Sequence, residues 1–106
     1  MGESNIGNYP HLYLSIQQAL LGEVVINLRG VAFVWESETI ILYFYHDGIA
    51  SDEDVENYSN ISACVVANYH APVVIDEKTL NLSTPNPLPE HKHWAYRRKE
   101  ILKNML

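Results

Sequence analysis

Residues 29–36 and 39–45 are two runs dominated by β-branched and aromatic side chains, with only Ser37 and Glu38 between them. Such a pair predicts an antiparallel hairpin. In the second run Ile40, Leu42 and Phe44 point to one side, and Ile41, Tyr43 and Tyr45 to the other. A hairpin alone is marginal in water, so the rest of the chain must cover at least one of its faces.

Two segments can supply that cover. From Pro10 to Leu21, the residues Leu12, Ile16, Ala19 and Leu20 form one helical stripe, and Gly22 stands where a left-handed C-cap belongs. From Ser51 onward, Val55, Tyr58, Ile61, Val65 and Tyr69 form another. Ser51 has the chemistry of an N-cap, and Asp52, Glu53, Asp54 and Glu56 fill the first turns, where the helix dipole favours negative charge. A third strand begins at Val73-Val-Ile75 and resumes at Leu80 and Leu82, with a bulge or tight turn expected at Asp76-Glu-Lys78. The prolines of Ser83–Pro89 exclude helix and inner strand there, which predicts an extended connector. The tail from His91 to Leu106 reads as partly helical. The expected fold class is therefore α+β, with an antiparallel sheet of about three strands and helices packed on it, in the order α-β-β-α-β-(α). One domain is expected over residues 9–106, after a loose lead-in at residues 1–8.

At 106 residues the chain fits one domain whose core needs no staples. Cys64 is the single cysteine, which excludes an internal disulfide and a cysteine-rich zinc site. Its position in the second helical stripe predicts a small buried apolar side chain. No run approaches the length of a membrane span, and the opening Met1–Asn5 lacks the basic start and apolar run of a secretory signal, so a cytoplasmic location is expected.

The net charge of −6 is unevenly placed. Residues 1–77 hold eleven acids against the single base Arg29, whereas residues 90–106 hold Lys92, Arg97, Arg98, Lys99 and Lys103 against Glu90 and Glu100. Most of the surface should repel phosphate backbones and attract a basic partner.

Signatures of catalysis are sparse. No GxSxG, glycine-rich phosphate loop or HExxH is present. The neighbours of Cys64 are apolar and would not activate a thiol. His91 and His93 could chelate only with help that the flanking residues do not offer, and Lys92 would repel a cation, so no metal or cofactor is expected. His46 and Asp47 could form an acid–base pair at a strand end, which is the enzymatic alternative. Trp94, Tyr96, Arg97, Arg98 and Lys99 mix aromatics with positive charge, as an RNA- or scaffold-binding module would. The acidity elsewhere argues against nucleic acid, and the same residues could pack and pair the tail onto the domain instead.

Recognition of a macromolecule remains. Five carboxylates (Asp47, Asp52, Glu53, Asp54 and Glu56) fall within ten residues at a loop and helix start, more than dipole stabilisation requires. Exposed tyrosines, Tyr45 among them, would anchor a partner beside these charges. The runs Leu20-Leu-Gly-Glu-Val and Asn27-Leu-Arg-Gly-Val, then Phe44-Tyr-His-Asp-Gly and Ser51-Asp-Glu-Asp, resemble a group of small bacterial proteins. Leu80-Asn-Leu-Ser, Pro85-Asn-Pro-Leu-Pro and Trp94-Ala-Tyr-Arg-Arg-Lys-Glu fit the same group, so the similarity spans roughly residues 12–100. These resemble immunity proteins of contact-dependent growth inhibition and related polymorphic toxin systems. The resemblance implies a cytoplasmic protein that binds a cognate toxin, often a basic nuclease, and blocks its active site; the sparse catalytic signatures agree, and no enzyme is expected. Lys103-Asn-Met-Leu runs past the shared pattern, no binding residue carries over, and the oligomeric state is left open.

Overall fold

The computed structural model of the chain describes residues 9–69 and 72–100. The expected lead-in at residues 1–8 and the last part of the tail, residues 101–106, lie outside the described residues.

Helix α1 spans Tyr9–Leu20 and buries Leu12, Ser15, Ile16, Ala19 and Leu20. Gly22 follows at φ 76°, a left-handed conformation that glycine adopts without steric cost. Strand β1, Leu28–Glu36, and strand β2, Thr39–His46, form the expected antiparallel hairpin, with Phe33 opposite Leu42 and Trp35 opposite Ile40. Helix α2, Asp52–Ala67, is capped by Ser51, whose Oγ accepts a hydrogen bond from the Asp54 amide at 3.1 Å.

Strand β3, Val74–Asn81, then runs parallel to β2, and strand β4, Trp94–Arg97, pairs antiparallel with β1. The sheet order is β3-β2-β1-β4. Three expectations are corrected here. The sheet has four strands and is mixed, because α2 carries the chain back along the sheet before β3 begins, and neighbouring strands joined by such a crossover run in the same direction. Asp76–Lys78 makes no turn: β3 passes through it without interruption, since an edge strand can direct charges to solvent. Within the described tail, the aromatic segment at 94–97 is a strand and not a helix, because the unpaired edge of β1 offers its main chain a ladder.

Both helices pack on one face of the sheet. There Leu12, Ile16, Val31, Phe33, Ile40, Leu42, Phe44, Tyr58, Ile61 and Val65 form a core that excludes water almost completely. On the opposite face lie Tyr43, Tyr45 and Trp94, crossed by the connector from β3 to β4, whose His91 ring packs at 4.7 Å from Tyr43 and 5.2 Å from Trp94. Gly30 of β1 is needed at this crossing: a Cβ there would stand 2.8 Å from the Trp94 ring.

Cys64 is exposed, contrary to the expectation of a buried thiol. The buried stripe of α2 runs through Tyr58, Ile61, Ser62 and Val65. Cys64 sits one position off that stripe, on the wall of an open groove of about 560 Å³ between the helices, shared with Gln18, Leu21 and Asn60.

Candidate functional site

The acids singled out in the sequence fall at one end of the sheet, where β1 begins and β2 and β3 finish. Three connections meet there. The Asp47 amide donates to Asn27 O at 2.8 Å, joining the loop after β2 to the loop before β1. Asn57 of α2 donates to Glu23 O at 2.8 Å, and the Ala50 amide donates to Asn81 Oδ1 at 3.1 Å.

Five carboxylates expected to act together are divided by the fold. Asp52, Glu53 and Glu56 stand exposed on the first turns of α2, and none of the three takes part in an ion pair among the described residues. Asp54 is partly buried, 3.6 Å from His46 Nε2. Asp47 points the other way. It accepts from Arg98 Nη2 at 2.9 Å and from the Thr84 amide at 3.0 Å, and these bonds, Arg98 first, hold its pKa below the ordinary carboxylate value.

Arg98 belongs to a larger ionic clasp. Arg29 occupies a bulge of β1 between Leu28 and Gly30 and is only 2% exposed. Its Nε and Nη2 donate to the two oxygens of Glu100 at 2.7 and 2.8 Å, and its Nη1 donates to Leu82 O at 2.8 Å. Arg98 Nη2 also reaches Glu100 at 3.0 Å. The bonds from Arg29 are the main reason that Glu100 stays ionised to lower pH than an ordinary glutamate. Two guanidinium groups and two carboxylates thus satisfy one another, tying the β4 end to the ends of β1 and β3. Asp47 and Glu100 are spent internally. Asp52, Glu53 and Glu56 have no ion-pair partner among the described residues.

Tyr45, expected as an exposed anchor, is 4% exposed, and its hydroxyl lies 2.6 Å from His91 Nε2. Burial raises its pKa. Its place on the outer sheet face lies under the β3–β4 connector, which the alternation of the strand alone could not reveal. His46 and Asp47 do not form a pair. The chain turns where β2 ends, so the two side chains diverge: His46 Nδ1 meets the Tyr58 hydroxyl at 2.7 Å beneath α2, while Asp47 meets Arg98. His91 and His93 are likewise separated. His91 packs on Tyr43 and Tyr45, whereas His93 stacks on Tyr9 at 4.2 Å and lies 3.0 Å from the Tyr13 hydroxyl on the helix side. Among the described residues no three histidine, cysteine or acidic side chains converge as metal ligands would.

The aromatic and basic segment is largely used in packing. Trp94 fills the space over Gly30, Tyr96 packs against the core, and Arg98 is held in the clasp. Arg97 lies over the Trp94 ring at 4.9 Å.

Sequence reasoning passed over two residues at this end. Ile26 and Ile49 are 85% and 88% exposed, in the loops on either side of the Asn27–Asp47 contact. Val24 is exposed as well. Isolated apolar residues in loops carry no periodic signal, and only the fold brings their two loops to the same end. Asp52, Glu53 and Glu56 stand exposed at the same end of the fold.

Residues 9–100 match the MafI2 immunity protein family, from the first residue of α1 to the ionic clasp. The chain belongs to that family. No curated protein matches the sequence. Membership in the MafI2 immunity proteins agrees with the resemblance read from the sequence and gives the chain a toxin-neutralising immunity role. No described helix is long and apolar enough to cross a membrane.

Proposed function

We propose that this MafI2 immunity protein neutralises a basic toxin of the nuclease class, within the cytoplasm and without catalysis, by covering the toxin's active site with the α2 end of the sheet. Asp52, Glu53, Asp54 and Glu56 supply charges that oppose a phosphate-binding cleft. Ile26 and Ile49 supply apolar anchors that become dry on docking. Asp47 and Tyr45 contribute from behind, the first by fixing the loop before α2 and the second by fixing the sheet face under the connector. The observation that carries this reading is the coincidence of Asp52, Glu53 and Glu56, which have no ion-pair partner among the described residues, with exposed isoleucines at one end of the fold. Charge complementarity accelerates encounter, and buried apolar side chains slow dissociation. Contact-dependent growth inhibition is the setting that the sequence resemblance implies.

The experiment is a binding series against the cognate toxin domain, with protection of cells from that toxin as a second readout. Asp52→Lys, Glu53→Lys and Glu56→Lys combined should lower the association rate at low salt by about tenfold or more, with less effect at high salt. Ile49→Ala should chiefly raise the dissociation rate. Unchanged kinetics in both variants would remove this end of the molecule from the interface.

A further inference from the structure

Strand β3 is eight residues long and forms one border of the sheet, with no described strand on its outer side. An exposed edge of this length is a template for another strand, and proteins normally blunt such edges with charge. Here the charges are arranged to admit one particular partner.

The Val74 amide donates to Glu38 O and the Leu82 amide donates to His46 O, so even-numbered residues of β3 present their main chain to β2. Ile75, Glu77 and Thr79 therefore present theirs outward. The helix-side contact of Glu77, which accepts from Ser59 of α2 at 2.8 Å, places the odd-numbered side chains on the helix face. Val74, Asp76, Lys78 and Leu80 consequently share the opposite face, where all four are exposed.

We propose that a second copy of this chain pairs with β3 edge to edge, antiparallel, about a twofold axis through Glu77, so that the two sheets become one. In that register Ile75 faces Thr79 of the other copy, and the outward amides and carbonyls form about six main-chain hydrogen bonds. Asp76 faces Lys78 and Val74 faces Leu80, each contact occurring twice by symmetry. The Asp76–Lys78 contacts fall at non-hydrogen-bonded positions, where facing side chains come closest. Within one copy Asp76 and Lys78 already lie 3.4 Å apart, half-exposed, and they can exchange partners at little cost. Moving the axis one position on, to Lys78, would set lysine against lysine and aspartate against leucine. Charge thus selects the first register. Glu77 faces its own copy at the wider, hydrogen-bonded spacing, and its bond to Ser59 draws the carboxylate toward α2.

A single strand pair buries less than a standard interface, so the dimer should be concentration-dependent. Sedimentation velocity of the full chain from about 5 to about 500 µM should show reversible dimerisation in this range. Asp76→Lys and Lys78→Glu should each weaken it by about tenfold or more, since one substitution turns two attractions into repulsions. The double variant with both reversals should recover wild-type association. Thr79→Pro removes an outward amide that β2 does not use, and should abolish dimerisation while circular dichroism retains the fold. A wild-type protein that stays monomeric throughout, or a dimer indifferent to both single reversals, would overturn the proposal. So would a monomer whose toxin binding is lost in these variants, since the edge would then belong to the toxin.

Discussion

Removing one oxygen-bearing charge from the Arg29–Glu100 clasp is the sharpest perturbation available. In Glu100→Gln the amide keeps the shape of the side chain but loses the charge, and its nitrogen cannot accept from Arg29. The Arg29 side chain is 2% exposed and that of Glu100 is 17% exposed. Breaking a buried pair from one side costs about 3–5 kcal/mol, because the remaining charge stays in a medium that solvates it poorly. The partial exposure of Glu100 and the nearby carboxylate of Asp47 reduce that to about 2–3 kcal/mol. With a urea m-value of about 1.5 kcal/mol/M for a chain of this size, the unfolding midpoint should fall by about 1.3–2 M. Equilibrium urea unfolding followed by tryptophan fluorescence measures this directly, with Trp35 and Trp94 as reporters. Adding Arg29→Met to the variant should recover part of the loss, since an apolar side chain of similar length needs no counter-charge. A midpoint shift under about 0.4 M would mean that water already reaches Arg29, and the clasp would then be a surface feature.

The same clasp sets a pH dependence. Asp47 and Glu100 both have folded pKa values depressed by arginine hydrogen bonds, so their contribution is present above the unfolded values and is lost as pH falls through the folded ones. Thermal unfolding should therefore be nearly constant from neutral pH to about 5 and decline below about 4, more steeply in wild type than in Glu100→Gln; parallel profiles would contradict this. At the other sheet face, Gly30→Ala should destabilise by about 1–3 kcal/mol, because a Cβ 2.8 Å from the Trp94 ring forces β4 outward. Combining it with Trp94→Leu should cost less than the two changes added separately, a difference that thermal melts can read.

Periodicity and capping were enough to locate both helices and the hairpin. A short run rich in β-branched and aromatic residues over 39–45 favours a strand, and a spacing of three and four over 55–69 is satisfied by a helix. Ser51 and the acids after it specified the start of α2 through local hydrogen bonding and the helix dipole. The motifs spread over residues 12–100 resemble an immunity family, and residues 9–100 match one.

The tertiary structure alone decided which charges remain available. Asp47 and Glu53 are equivalent acids in a sequence, but the fold brings Asp47 to Arg98, fifty-one residues away, and among the described residues brings no ion-pair partner to Glu53. Tyr45 looked like a surface tyrosine until the connector crossed it, and Cys64 looked buried until α1 left its side of α2 open. The direction of β3 and the strand at 94–97 depended in the same way on which edges of the hairpin were left unpaired. Local pattern is set by neighbours within a few residues, whereas burial, pairing and edge exposure are properties of chain segments that meet only after the fold has closed.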